Sequence, residues 1–169
     1  MASSAVIFDL DGTLLDTLED LADSVNAALA AAGLPAHPLA AYKLFVGDGI
    51  RSLVERSFPP GMTEDKLDAA VSAVRAEYER RWKDKSRAYP GIPELLEELA
   101  ARGLPLAILS NKPHPFTLKT VEALLPRGKF AAVLGALPGR PLKPDPAGAL
   151  EIARGLGLEP ERILYLGDT

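Results

Sequence analysis

Four short apolar runs limit most strongly what this chain can fold into. They read SAVIFDL at residues 4–10, LPLAILS at 104–110, KFAAVLG at 129–135 and RILYLGD at 162–168. Continuous apolar runs of this length are typical of buried strands. After residue 87 the runs alternate with helical segments of about ten residues, a pattern that predicts βαβ units and a parallel sheet. We therefore predict an α/β fold.

The segment between the first strand and the later ones has a wholly helical pattern. Apolar residues recur at steps of three or four from Leu18 onward, and a second helical stretch, 39–57, is interrupted by the tripeptide GDG. Thr63 is placed to cap a long third helix. We predict an α/β core domain made of residues 1–15 and 87–169, with an inserted helical domain of residues 16–86.

Composition narrows the class of protein. The 169 residues are 47% hydrophobic, carry a net charge of −4 and include no cysteine. An acidic chain lacks the basic surface that attracts nucleic acids or anionic membranes. Without thiols it forms no disulfide and no thiolate metal site. No segment has the pattern of a signal peptide or a membrane span. We expect a cytoplasmic protein without nucleic-acid or membrane partners.

Polar residues gather where the predicted strands end. They are Asp9 and Asp11 after the first strand, Ser110 after the second, Lys143 after the third and Asp168 after the fourth. Ligands of open parallel sheets bind at this edge, and strand alternation sends Asp9 and Asp11 to the same side. Several oxygen ligands suit Mg²⁺ held together with substrate phosphate, and lysine and hydroxyl groups complement phosphate oxygens. The sequence therefore predicts a magnesium and phosphate site here.

Taken together, these motifs resemble the haloacid dehalogenase superfamily of phosphohydrolases. The resemblance is carried by D-x-D-G-T at 9–13, Ser110 closing an apolar strand, Lys143 in LKPDP, and LGDT at 166–169. The helical insert after the first motif and the stretch VGDGIRSLVERSF are most similar to the phosphoglycolate phosphatase branch. The resemblance implies a Rossmann-like core, an all-α cap domain, and a Mg²⁺-dependent phosphatase for a small phosphorylated metabolite.

The resemblance also implies a role for each motif residue. Asp9 is expected to form an aspartyl-phosphate, while Asp11 exchanges protons with the leaving alcohol and then with water. The phosphate-binding residues would be Thr13, Ser110, Asn111 and Lys143. Mg²⁺ would be held by the Asp9 carboxylate, the Asp11 main-chain carbonyl and Asp168. In the insert, Gly47 and Arg51 would contribute to substrate specificity. Lys112 is interpreted as a solvent-exposed lysine.

The family pattern continues past Thr169 with a further acidic residue, so we expect an incomplete metal site, a last strand left as a bare edge, and a core truncated at its C-terminus.

Two alternatives to the phosphatase function remain open. A sugar-phosphate mutase of the same superfamily is one alternative. A fragment that only binds phosphate and metal is another. Asp11 argues against a dehalogenase, and the large helical insert argues against a signalling receiver domain.

Overall fold

In the computed structural model, which describes residues 4–168, the chain leaves one structural unit after residue 16 and returns to it at residue 88. The intervening residues 17–87 form a second unit. Each crossing lies one residue from the boundary predicted by the change in hydrophobic pattern.

The first unit is an α/β structure built on a parallel sheet. In chain order the strands are β1 (Ala5–Phe8), β2 (Leu15–Asp16), β3 (Arg87–Ala88), β4 (Leu106–Pro113), β5 (Phe130–Ala136) and β6 (Ile163–Leu166). Among the described residues, one sheet has the order β5–β4–β1–β6 with every pairing parallel, and β2 and β3 pair with each other. The prediction of an α/β fold with a parallel sheet is confirmed.

Helices complete both units. In chain order they are α1 (Leu18–Ala31), α2 (Leu39–Phe45), α3 (Gly49–Ser57), α4 (Glu64–Arg81), α5 (Ile92–Ala101), α6 (His114–Leu124) and α7 (Ala147–Leu156). The last three belong to the first unit. No helix within residues 4–168 is both long enough and apolar enough to cross a bilayer.

Side-chain alternation along β1 divides the core of the first unit between the two faces of the sheet. Val6 and Phe8 pack on one face with residues of β4 and with helices α5 and α6. Ile7 points to the other face, where α7 supplies Ile152. Along the described chain β6 is an edge strand, and its Leu164 remains half exposed. Helices on both faces leave the carboxyl ends of β1 and β4 as the place where polar residues collect.

The second unit is all-helical, and its breaks follow its glycines. The helical stretch predicted at 39–57 is split into α2 and α3, because Gly47 and Gly49 adopt φ values of 132° and 85° that favour glycine. Helix α4 begins directly after Thr63 as predicted, but the expected side-chain cap is wrong: Thr63 makes no capping hydrogen bond. Burial, with the charge of Asp23 adding to it, raises the pKa of Tyr42 to about 12.

A buried carboxylate fastens the end of the second unit to its first helix. Asp20, 1% exposed, accepts hydrogen bonds from the backbone N–H groups of Lys85 and Ser86 at 3.1 and 2.8 Å, and from the Ser86 hydroxyl at 2.7 Å. The neighbouring Asp23 pairs with the Lys85 ammonium at 2.8 Å, but both side chains are largely exposed. Asp20 and Asp23 of α1 therefore both hold the segment 85–86. Asp20 does so through buried hydrogen bonds and Asp23 through an exposed ion pair.

Asp20→Ala is expected to lower the free energy of unfolding by about 2–4 kcal/mol, because it leaves buried donors without their acceptor. The matched variant Asp23→Ala removes an exposed ion pair and is expected to cost less than about 1 kcal/mol. Urea-induced unfolding of both variants measures the difference. Equal losses in the two variants would show that the buried hydrogen bonds carry no special weight.

Candidate active site

Asp9 stands at the carboxyl end of β1 and forms a buried ion pair. Its backbone N–H donates to the Leu166 carbonyl of β6 at 2.8 Å, and the residue is 4% exposed. One carboxylate oxygen, Oδ1, accepts the Leu10 N–H at 2.7 Å, while Oδ2 lies 2.5 Å from the Lys143 ammonium. The carboxylate is thus fixed in orientation at the position where the sequence predicts a nucleophile.

Lys143 comes from the loop between β5 and α7, and side chains on both sides hold it in place. Its ammonium donates to the Tyr165 hydroxyl at 3.0 Å and lies 5.8 Å from the centroid of that ring. Asn111 clamps the Lys143 backbone: its amide donates to the carbonyl at 3.1 Å, and its Oδ1 accepts the N–H at 2.8 Å. Asn111 therefore positions Lys143 in this structure, and direct phosphate binding by Asn111 stays a prediction.

Asp11 has a lysine partner that sequence reasoning missed. The Lys112 ammonium lies 2.9 and 3.1 Å from the two carboxylate oxygens of Asp11. The interpretation of Lys112 as a solvent-exposed residue is wrong, because its side chain is only 5% exposed. The second core strand was predicted to end at Ser110, whereas β4 continues to Pro113 and carries Lys112 inside the sheet.

Gly12 allows Asp168 to approach the loop after β1. Gly12 has a φ of 83°, and a Cβ built on it would lie 2.2 Å from Oδ2 of Asp168. The Thr13 hydroxyl donates to Oδ1 of the same carboxylate at 3.2 Å. A second glycine, Gly167, sits so close to Asp9 that its Cβ would lie 3.1 Å from the Asp9 Cβ. The structure therefore places Thr13 in contact with Asp168, and places Gly167, the neighbour of Asp168, beside Asp9.

The donors gathered here fit a magnesium ion. The groups assigned to Mg²⁺ are all hard oxygen donors: the carboxylates of Asp9 and Asp168 and the main-chain carbonyl of Asp11. No group of three or more His, Cys, Asp or Glu side chains suited to a metal occurs within residues 4–168. Mg²⁺ sites commonly have few protein carboxylates, since water and substrate phosphate complete the octahedron. The space that the missing Gly12 side chain leaves for Asp168 agrees with such a site.

The remaining predicted residues fall in two places. Ser110 is buried, accepts the Lys112 N–H at 3.2 Å, and lines a cavity of about 50 Å³ together with Asn111 and Lys143. Gly47 and Arg51 belong to the second unit. Arg51 pairs there with Asp68 at 2.6 Å and also with Glu55 and Glu64, and the hydrogen bond to Asp68 raises its pKa. A substrate contact of Arg51 stays a prediction.

Comparison with known proteins decides the family. A family model described as haloacid dehalogenase-like hydrolase matches residues 6–169. The chain belongs to the haloacid dehalogenase-like hydrolases. This confirms the resemblance drawn from the four motifs and makes the protein an enzyme of a hydrolase family.

Several relatives of this haloacid dehalogenase-like hydrolase share one description, phosphoglycolate phosphatase. Over its whole length it is 34% identical to a phosphoglycolate phosphatase of Psychrobacter arcticus and 37% identical to one of Mesorhizobium japonicum, and covers 76% of each. A crystal structure of a predicted phosphoglycolate phosphatase from Haemophilus somnus superposes with a TM-score of 0.91 at 32% identity. That match covers 98% of this chain and 77% of the other. The chain thus spans about three quarters of the length of these relatives.

Proposed function

We propose that this haloacid dehalogenase-like hydrolase is a Mg²⁺-dependent phosphatase that acts on a small phosphorylated metabolite such as 2-phosphoglycolate. The observation that carries the proposal is the buried Asp9–Lys143 pair beside a second carboxylate, Asp11, two residues further along the chain. The phosphoglycolate phosphatases among its relatives support the substrate class. Two-step hydrolysis of a phosphate ester needs a nucleophile and a group that exchanges protons. Two neighbouring carboxylates can supply both.

In the first step, an Asp9 carboxylate oxygen attacks the phosphorus atom of the substrate. The bond between phosphorus and the alcohol oxygen breaks, and Asp11 donates a proton to that oxygen as the alcohol leaves. The hydrogen bond from the Leu10 N–H holds Oδ1 of Asp9, which assigns the attack to Oδ2 on the side of Lys143. Lys143 offsets the negative charge that collects as two anions meet.

In the second step, a water molecule attacks the phosphorus of the aspartyl-phosphate. Asp11 takes the proton from this water, the bond between phosphorus and the Asp9 oxygen breaks, and inorganic phosphate is released. Asp9 returns to the free carboxylate and Asp11 to its protonated form, so the two steps close a cycle. Ser110 and Thr13 bind phosphoryl oxygens in both steps, and Asn111 keeps Lys143 in place.

The metal and the helical unit complete the proposal. Asp9, Asp168 and the Asp11 carbonyl would hold Mg²⁺, which when bound neutralises charge on the phosphoryl group. Residues 17–87 would act as the cap domain that selects the leaving group, and Arg51 would contact a substrate carboxylate in exchange for its ion pairs with Asp68, Glu55 and Glu64. The reaction takes place in the cytoplasm and needs no nucleic-acid or membrane partner.

A panel of phosphorylated metabolites tests this function. With Mg²⁺ present, we expect 2-phosphoglycolate to have the highest kcat/KM of the panel. Chelation with EDTA is expected to reduce turnover by at least about 100-fold, and added Mg²⁺ to restore it, because the phosphoryl charge is then no longer neutralised. Phosphate release measures both results. Full turnover in EDTA would contradict the metal requirement, and failure to hydrolyse any phosphate monoester would contradict the proposal as a whole.

A further inference from the structure

Lys112 is a charged residue buried in a strand, where burial has a cost. Its side chain is 5% exposed, and desolvating an ammonium group costs several kcal/mol before any partner is counted. A buried ion pair is often no more stabilising than apolar residues of the same size. Stability alone therefore gives little reason for a lysine at this position, and its role is expected to lie in the partner that it holds.

The partner is the Asp11 carboxylate, and the contact fixes its orientation. The Lys112 ammonium lies 2.9 Å from Oδ1 and 3.1 Å from Oδ2 of Asp11. A single hydrogen bond leaves a carboxylate free to rotate about its Cβ–Cγ bond, whereas contact with both oxygens restrains that rotation. Asp11 is held in this way by a residue 101 positions away in the sequence.

The lysine projects from a backbone that is itself held firmly. The Lys112 N–H donates to the Ser110 hydroxyl at 3.2 Å, and its carbonyl accepts the hydroxyl of the fully buried Thr117 at 3.0 Å. A Cβ on Gly135 would lie 2.7 Å from the same carbonyl, so the neighbouring strand approaches it closely only because that residue is glycine. The Lys112 side chain therefore reaches Asp11 from a backbone that is rigidly held.

Two different lysines form ion pairs with the two site carboxylates. Lys143 pairs with Asp9 and Lys112 pairs with Asp11, from different elements of the sheet unit. This arrangement separates the tasks of the two carboxylates: one is held for attack on phosphorus and the other for proton exchange. Precise placement matters for proton exchange, because a general acid must lie within hydrogen-bond reach of the leaving oxygen.

We propose that Lys112 is a positioning residue that holds one oxygen of Asp11, so that the other oxygen, when it carries the proton, is directed to the leaving group. The inference rests on the proposed phosphatase function. It predicts that hydrolysis depends on Lys112 only when the leaving group needs a proton. The glycolate alcohol needs one, whereas p-nitrophenolate leaves as a stable anion.

The test compares Lys112→Met with wild-type enzyme on 2-phosphoglycolate and on p-nitrophenyl phosphate. The ratio kcat/KM covers substrate binding and the steps up to departure of the leaving group, so it excludes hydrolysis of the aspartyl-phosphate. We expect a loss of about 30-fold with 2-phosphoglycolate and of less than about 3-fold with p-nitrophenyl phosphate. Lys112→Arg keeps the cation and is expected to retain most of the activity on both substrates.

A double-mutant cycle shows whether Lys112 acts through Asp11. In an Asp11→Asn background, adding Lys112→Met is expected to change kcat/KM for 2-phosphoglycolate by less than about 2-fold, because the group being positioned is already disabled. Thermal unfolding checks that each variant is folded. If Lys112→Met does not fold, Lys112→Gln, which keeps a polar end, serves in its place.

Two results would overturn the inference while leaving the phosphatase function intact. One is an equal loss on both substrates, which would indicate that Lys112 binds phosphate or supports the fold. The other is a further large loss in the Asp11→Asn background. Failure of the proposed function is distinct, because wild-type enzyme would then hydrolyse neither substrate, and the inference would be overturned with it.

Discussion

Asp9→Asn is expected to abolish phosphatase activity, lowering kcat for every phosphate monoester by at least about 10⁴-fold. The amide that replaces the carboxylate has almost the same size but is a very poor nucleophile. Asp9 sits in a buried pair with Lys143, which fixes its carboxylate at the proposed point of attack. Release of inorganic phosphate under saturating substrate measures the loss.

The matched control is Asp65→Asn. Asp65 is an exposed carboxylate in the first turn of α4, so this substitution makes the same chemical change in the helical unit. Because Asp65 is exposed on α4, we expect the kcat of this variant to remain within about 2-fold of wild type, as surface substitutions usually have small effects. Turnover by Asp9→Asn that matches this control would remove Asp9 from the mechanism.

Gly12→Ala is expected to lower kcat/KM by at least about 100-fold. Two effects combine at this residue: an alanine at a φ of 83° is strained by about 1–2 kcal/mol, and its Cβ would lie 2.2 Å from Oδ2 of Asp168. The Asp168 carboxylate must therefore move, and displacements of about 1 Å in a catalytic site can cost about 100-fold in rate. The Mg²⁺ concentration that gives half-maximal activity is expected to rise as well.

Gly103→Ala separates the two effects. Gly103 has a φ of 73°, but nothing lies within 4 Å of the position that its Cβ would occupy. This variant therefore has the backbone strain without the collision, and we expect reduced thermal stability with nearly unchanged kcat/KM. Steady-state kinetics and thermal unfolding of both alanine variants provide the comparison. Equal kinetics in the two would show that the close approach of Asp168 has no part in activity.

The sheet could be predicted because its strands are encoded locally. The run that forms β1 is apolar on both faces, since Phe8 and Ile7 pack on opposite sides of a covered sheet. The length of β4 could not be read in the same way. Its last residues are polar, and the strand is extended there by pairing of Pro113 with Ala136 of β5, a contact that leaves no trace in the hydrophobic pattern.

The candidate site was predictable in outline but not in its pairing. Parallel strands bring their carboxyl ends to one edge, so the proximity of Asp9, Asp11 and Asp168 follows from topology alone. Which lysine meets which carboxylate depends on register and side-chain reach. The contact between Lys112 and Asp11 joins residues far apart in sequence, and the clamp of Asn111 on Lys143 joins residues 32 positions apart. Neither contact has a signal in a single sequence.

Chemical trapping tests the aspartyl-phosphate most directly. Enzyme turning over 2-phosphoglycolate with Mg²⁺ would be quenched rapidly in acid, digested with pepsin, and analysed by mass spectrometry of the peptide that contains Asp9. We expect one phosphoryl group on Asp9 during turnover and none in the Asp9→Asn variant. A phosphoryl group on a different residue, or an active enzyme that carries none at any quench time, would contradict it.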